Sequence, residues 1–324
     1  MNKILIIQTA FIGDVVLATP IIEKINCFFP NAQLDFLVRK GNESLLVNHP
    51  HLHQVLIWNK KDSKYKNFYK LLKTIRLEKY DLVINIQRFL STGVLTAFSS
   101  AKIKVGFRKN PMSFFFNKKL KHELDGTHEV ERNLSLIQDL TDDCFEMPKL
   151  HPSPQNFQKT NQLLIDLNIN SQNFITIAPT SVWFTKQLPA EKWAELIRRL
   201  PSDLSVCLIG GPSDFDACEN IKNYVNYPNI FNLCGKLNLL ESAALMSKAT
   251  MNYANDSAPI HIASAMNAPM TAVFCSTVPR FGFTPLSDNH KIIETKENLS
   301  CRPCGLHGKK ACPEGHFKCA NVAF

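Results

Sequence analysis

The chain has 324 residues, 45% hydrophobic and 20% charged, with a net charge of +9 and ten cysteines. That length suits two domains of about 150 residues each, and the composition excludes a disordered or fibrous chain. No apolar run reaches the roughly 20 residues of a membrane-spanning helix, and Asp14 interrupts an N-terminus too short to be a signal peptide, so a cytoplasmic protein is expected.

The charge is uneven. Residues 1–155 hold 22 Lys and Arg against 15 Asp and Glu, whereas residues 156–324 hold 15 against 13. The first half is therefore expected to meet an anionic partner such as nucleic acid, acidic lipid or a phosphorylated glycan; a solvated basic surface is the plain alternative.

In chain order, "KILIIQ", "QLDFLVR", "QVLIW", "YDLVINI" and "IKVGF" read as strands, with amphipathic "ATPIIEKINCFF" and "YKNFYKLLKTIRLEKY" among them. After the connection "KLHPSPQNFQ" and the helix "KTNQLLIDLNI", the pattern restarts near residue 174 with "FITIAP", "SVCLIGG", "IFNLCG", "MNYAND" and "MTAVFC". Helices "AEKWAELIRRL", "FDACENIKNYV", "LLESAALMSKA" and "APIHIASAMN" fall between these strands. Such alternation predicts two parallel, doubly wound sheets with a cleft between the domains, and ligands beyond the carboxyl ends of the strands.

Three segments at such ends carry candidate chemistry. Asp14 follows the first strand in "TAFIGD", which is neither a dinucleotide fingerprint nor a P-loop. It reads as a helix cap or as a catalytic carboxylate. In "IAPTSVWFTKQLPAEKW", Lys186 in a polar loop reads as a phosphate contact or as a solvated lysine. In "NDSAPIHIA", the backbone amides of Ser257 and Ala258 open a helix and offer an anion site. His261 lies one turn further in and reads as a packing residue or a functional one.

Together, "GDVVLATP", "YDLVINIQ", "VGFR", "HEVERN", "TKQLPAEKW", "NLCGKLNLLESAALM" and "NDSAPIHIA" resemble glycosyltransferase family 9, the ADP-heptose:lipopolysaccharide heptosyltransferases. The resemblance covers nearly the whole chain. It implies the GT-B fold: an acceptor-binding domain over 1–155 and a nucleotide-sugar-binding domain over 156–324, facing across a cleft. It also implies inverting heptose transfer from ADP-heptose to a lipid A-linked inner-core acceptor, with no cofactor required for catalysis.

By that resemblance Asp14 is the catalytic base, and Lys186 with the amides near Ser257 and Ala258 stabilises the leaving diphosphate. Thr180, Ser181 and Asp256 lie near the donor, His261 orients the phosphate-binding turn, and Asp214 meets ribose hydroxyls or caps the next helix. Gln87, Arg108, His128, Glu129 and Arg132 line the acceptor side, the last three alternatively forming a salt-linked helix face. The chain departs from the family where Ala258 replaces the usual glycine and where "TVP" at 277–279 replaces "TDP".

Two further segments stand out. "FRKNPMSFFFNKKLKH", residues 107–122, sets the consecutive phenylalanines 114–116 beside Arg108, Lys109, Lys118, Lys119 and Lys121. It is expected either to form a strand or hairpin that contributes its phenylalanines to the core or to make peripheral contact with the inner face of the cytoplasmic membrane. Cys301, Cys304, Cys312 and Cys319 follow C-x2-C-x7-C-x6-C spacing, which suits a structural zinc; reduced thiols or disulfides formed after isolation are the alternatives. The other six cysteines (27, 144, 207, 218, 234 and 275) read as reduced core thiols.

The expected partners are an ADP-sugar donor and an anionic lipid-linked glycan acceptor, with no nucleic acid. Another nucleotide-sugar donor is the near alternative. A zinc-containing nucleic-acid-binding protein is a different class, against which no recognised nucleic-acid module is found. A nicotinamide oxidoreductase is a third, against which stands the missing glycine fingerprint.

Overall fold

A computed structural model describes residues Met1–Phe324, which divide into two compact units, Met1–His151 and Pro152–Phe324. The division falls inside the connection "KLHPSPQNFQ".

The first unit contains β1 (Lys3–Ile7), α1 (Ile12–Val16), α2 (Thr19–Phe28), β2 (Gln33–Arg39), β3 (Gln54–Trp58) and α3 (Lys64–Glu78). It continues through β4 (Leu82–Asn85), α4 (Leu90–Ala97), β5 (Ile103–Phe107), β6 (Lys118–Leu120) and α5 (Glu129–Ser135). Its strands form one parallel sheet in the order β3-β2-β1-β4-β5-β6. Central strands of such a sheet are covered on both faces, which explains why β1 and β4 are continuous apolar runs. Ile4, Leu5, Ile6 and Ile7 are all fully buried, as are Leu82, Val83 and Ile84. The core beneath them closes on Trp58, Ile75 and Tyr80.

The second unit contains α6 (Pro154–Asp166), β7 (Phe174–Ala178), α7 (Ala190–Arg198), β8 (Ser205–Leu208), α8 (Phe215–Tyr224) and β9 (Ile230–Asn232). There follow α9 (Leu239–Met246), β10 (Met251–Asn255), α10 (Ala258–Ala265), β11 (Met270–Phe274) and β12 (His290–Glu294). The parallel order is β12-β11-β10-β7-β8-β9, the same doubly wound plan. Trp193 and Ile197 of α7 pack with Val206 and Leu208 of β8 in its core, which also takes in Cys319, Ala320 and Val322 from the tail.

Strand order reverses between β1 and β4 in one sheet and between β7 and β10 in the other. At each reversal the connections leave in opposite directions and open a crevice beyond the strand ends. Asp14 and Gln87 follow β1 and β4, while Thr180 and Asp256 follow β7 and β10.

Two expectations need correction. Cys27 and Cys144 are exposed, so only Cys207, Cys218, Cys234 and Cys275 of the six scattered cysteines are core thiols. The segment 107–122 is no hairpin: β6 runs parallel to β5 after a 3-10 turn at Ser113–Phe115. Phe116 turns inward at 5% exposure, whereas Phe114 and Phe115 stand out at 66% and 46%.

Candidate active site

In the first unit, the loops after β1 and β4 are joined by Gln87, whose Nε2 donates to Gln8 Oε1. Asn110 Nδ2 donates to the Gln87 carbonyl at 2.8 Å, which holds the second loop in place. Asp14 is the third residue of α1, and its Oδ2 accepts the Phe11 N–H at 3.1 Å. A carboxylate at this position reaches back to the start of the helix, so the capping interaction is present.

The same carboxyl group is chemically primed. Burial pushes the Asp14 pKa up to about 6, the nearby Glu129 charge adds to the rise, and the Phe11 N–H and Arg88 oppose it. An acid tuned to that value is mostly ionised at neutral pH yet basic enough to accept a proton in a transition state.

Glu129 sits at the start of α5, where His128 caps the helix by accepting the Val130 N–H on Nδ1 at 3.2 Å. Burial would raise Glu129, but His122 at 3.0 Å and Arg132 at 2.8 Å outweigh it and hold the group below its ordinary range. Glu129 therefore stays anionic and acts on Asp14 through its charge. The salt-linked arrangement of Glu129 and Arg132 is present here. Arg108 is exposed, donates from Nε to the Lys119 carbonyl at 3.3 Å, and borders an open groove of about 430 Å³ with Lys109, Lys121 and His122.

In the second unit, Asn255 at the end of β10 ties two loops together. Its Nδ2 donates to the Pro179 carbonyl at 2.5 Å and its Oδ1 accepts the Leu188 N–H at 2.9 Å. The loop between these anchors carries Thr180 and Ser181, both half-buried, and a 3-10 turn that ends at Lys186. Lys186 Nζ lies 2.7 Å from Asp256 Oδ2, with side-chain exposures of 15% and 8%. Thr277 Oγ1 donates to the same carboxylate oxygen at 2.6 Å.

Immediately after Asp256, Ser257 opens α10, but its hydroxyl bonds the Asn255 carbonyl at 3.2 Å and caps no helix N–H. Pro259 in the first turn lacks an N–H in any case. The Ile260 N–H is taken by the Ser257 carbonyl at 3.1 Å. Ser257 and Ala258 are thus the residues whose amides no side chain caps at the start of α10, near Asp256 and its lysine, a combination that favours a phosphate. His261 is buried on α10 with its ring edge toward Phe283.

Asp214 stands apart from this group. Its Oδ2 accepts the Gly211 N–H at 2.7 Å at the start of the turn that leads into α8, which is the capping role. Asp214 and Asp216 have Asp-x-Asp spacing, yet the first is engaged in this cap and the second is exposed on α8.

One part of the site has no obvious sequence signal. The segment 304–309 straps across the Lys186 turn: Lys309 N–H donates to Thr185 Oγ1 at 2.8 Å, and Thr185 N–H donates to the Lys309 carbonyl at 3.1 Å. Ser276 Oγ bonds Thr185 Oγ1 at 3.0 Å. Gly308 passes over them at φ +76°, and a Cβ there would lie 3.0 Å from Lys186 Cγ. Gly308, Thr185 and Ser276 are far apart in sequence, and only the glycine hints at a close approach.

The chain on either side of this strap carries the other cysteines of the cluster, and only Cys304 lies within it. Burial raises the Cys319 thiol to about 11, with the neighbouring Cys304, Cys312 and Cys301 adding to the effect. Cys301 Sγ lies 4.0 Å from His316 Nε2. The donor set whose atoms all lie within 4.8 Å of one another is elsewhere, at Glu23, His49 and His151.

The sequence profile described as glycosyltransferase family 9 (heptosyltransferase) matches residues 68–315. Lipopolysaccharide heptosyltransferase 3 of Escherichia coli is 30% identical over 290 residues, covering 86% of this chain and 85% of the relative. Among solved structures, glycosyl transferase family 9 from Veillonella parvula DSM 2008 superposes with a TM-score of 0.80 at 20% identity, covering 90% of this chain and 85% of that one. E. coli ADP-heptose lps heptosyltransferase II gives a TM-score of 0.79 at 21% identity, covering 93% and 95%. The two parallel sheets are thus those of the GT-B heptosyltransferase structures, and the chain is an enzyme that belongs to glycosyltransferase family 9.

Proposed function

We propose that this enzyme moves a heptose from ADP-heptose to an inner-core sugar of a lipid A-linked acceptor, with inversion at the anomeric carbon. The observation that carries the reading is the placement of the Asp14 carboxyl group in the first turn of α1, at the strand-order reversal beyond β1, where burial raises its pKa to about 6. Similarity to the E. coli proteins lipopolysaccharide heptosyltransferase 3 and ADP-heptose lps heptosyltransferase II supports the donor and the acceptor class.

In this reading the first unit supplies the base and the acceptor contacts, and the second supplies the grip on the nucleotide-sugar. An acceptor hydroxyl gives its proton to Asp14 as its oxygen bonds the anomeric carbon. The bond from that carbon to the diphosphate breaks, and its electron pair leaves with the β-phosphate oxygen of ADP. Lys186 and the amides at the start of α10 meet the growing negative charge, so the step needs no divalent metal. Asp256 and Thr277 hold Lys186 in position, Thr180 and Ser181 border the donor, and His261 supports the turn. Gln87, Arg108 and His128 face the anionic acceptor. Asp214 is a ribose contact only if it releases its cap.

The enzyme meets its lipid-linked acceptor at the inner face of the cytoplasmic membrane through the exposed Phe114 and Phe115 and neighbouring lysines. No helix is long and apolar enough to cross a membrane. Cys301, Cys304, Cys312 and Cys319 hold a structural zinc, on the strength of their spacing and shared neighbourhood, and no catalytic step passes through it.

An assay of sugar release from a panel of nucleotide-sugars tests the donor. Turnover is expected with ADP-heptose, and preferential turnover of a different nucleotide-sugar would overturn that assignment.

A further inference from the structure

The first unit holds a cluster that plays no part in the chemistry above. Glu23 projects from α2, His49 and His51 lie in the turn before β3, and His151 ends the unit. Two separate stretches of chain thus converge on a carboxylate carried by a third. Glu23 Oε1 lies 3.2 Å from His151 Nε2 and 3.4 Å from His49 Nε2, while Glu23 Oε2 lies 3.7 Å from His51 Nε2. The His49 and His151 rings meet edge to face with centroids 4.5 Å apart.

His49 is the informative member. The residue is 6% exposed, its Nε2 is fully enclosed, and that atom has no hydrogen-bond partner even though the carboxylate is close. A buried imidazole nitrogen left in this way is an anomaly in a folded protein, and an ion at the centre of the cluster resolves it. The next histidine in the tract, His53, is drawn off to Asp35 at 2.9 Å, so the convergence on Glu23 is not a general property of this histidine-rich turn.

We propose that Glu23, His49 and His151 bind a divalent transition-metal ion of the zinc class, with His51 completing the coordination. Two or three imidazoles with one carboxylate suit zinc or cobalt better than magnesium or calcium, which prefer all-oxygen sites. Ligand atoms of Glu23, His49 and His151 already lie within 4.8 Å of one another, so small side-chain rotations bring them onto one ion. On ligation through Nε2, the His49 proton sits on Nδ1, and the long 3.4 Å contact from the His51 N–H to that atom is given up. Lys149 also faces Glu23, at 3.7 Å, but it is half-exposed and pairs with Glu146 at 2.8 Å, so it can withdraw as the ion enters. Four protein ligands make a closed site, which is structural: it clips α2 to the turn before β3 and to the segment that leaves the unit.

The test is Co2+ titration of the full-length protein, counting bound equivalents and recording the visible spectrum, for wild type, Glu23→Gln and His151→Ala. His151 has a partly exposed ring, so its replacement leaves folding intact, which circular dichroism checks. Each variant is expected to bind one equivalent fewer than wild type. The sulfur-to-cobalt absorption of any cysteine-bound ion is expected to stay unchanged, which separates this site from the cysteine cluster. Equal binding by wild type and variants, whether of some ions or of none, overturns the proposal, as does a loss confined to the sulfur-to-cobalt band.

Discussion

Lys186 holds its ammonium 2.7 Å from the Asp256 carboxylate, and both side chains are largely buried at the strand-order reversal of the second unit. A buried pair of this kind gains little net stability over an apolar pair, because both charges were taken out of water. What it secures is position. The carboxylate keeps a cation ready beside the first turn of α10, where an incoming phosphate can share it.

Lys186→Ala should cost in two ways. Losing a charged phosphate contact weakens ADP binding by about ten- to a hundredfold, as hydrogen bonds to charged groups are worth about 1.5–3 kcal/mol. Leaving Asp256 buried without its partner lowers stability by about 3 kcal/mol. In the double variant Lys186→Ala, Asp256→Asn, most of the stability should return while ADP affinity stays low. Calorimetric titration and chemical denaturation separate the two effects; recovery of both together would contradict the assignment.

Asp14 makes a pH-dependent prediction. Its folded pKa of about 6 lies above the ordinary value of 3.8, so the folded state favours the protonated carboxyl. Between those two values the folded chain binds more protons than the unfolded one, and stability falls as pH rises. Above about pH 6 the cost is complete and constant, up to roughly 3 kcal/mol. Asp14→Asn keeps an oxygen for the Phe11 N–H and removes the charge. It should be more stable than wild type at pH 8 and should lose that advantage below pH 4. A stability difference that does not vary with pH would contradict the desolvation argument.

Gly308 should be intolerant of a side chain. Its positive φ costs a non-glycine residue about 1–2 kcal/mol, and a Cβ would press on Lys186 and Thr185 at 3.0 Å. Gly308→Ala is expected to lower both stability and ADP affinity, whereas Gly305→Ala, also at positive φ but with open space around it, should lower stability alone. Equal ADP affinity in the two variants would show that the strap does not set the lysine.

The exposed aromatic step before β6 predicts membrane binding. Phe114 and Phe115 stack at 4.2 Å, and Phe98 joins them at 5.9 Å, making an apolar face beside exposed Lys119 and Lys121. Lys118 is already paired with Asp139 at 2.8 Å and should matter less. Phe114→Ser, Phe115→Ser should reduce co-sedimentation with anionic liposomes severalfold, and Lys119→Glu, Lys121→Glu should do the same. Unchanged sedimentation in both would remove this surface from consideration.

Much of this fold was legible because central parallel strands must be apolar on both faces, as in "KILII" and "FITIA". The strand β12 escapes notice in the sequence, and β6 reads only as a strand or hairpin somewhere in 107–122; both are edge strands with lysines and exposed positions, where burial imposes no pattern. The helices α4 and α5 are short, and α5 is held largely by a buried ionic network rather than by an apolar stripe. Candidate positions were legible where a strand leads into them, as with Gln87 after β4, Asp256 after β10 and Asp14 in the helix that follows β1. The strap over Lys186 and the Glu23–His49–His151 cluster were not, because each depends on residues more than a hundred positions apart that only folding unites. Asp214 shows the opposite limit: a carboxylate after a strand can be wholly occupied by a cap.

The most direct measurement compares single-turnover heptose transfer and ADP binding in wild type and Asp14→Asn. If Asp14 removes the acceptor proton, transfer falls by about 10²–10⁴-fold while the Kd for ADP stays the same. Transfer at the wild-type rate in this variant would contradict the account.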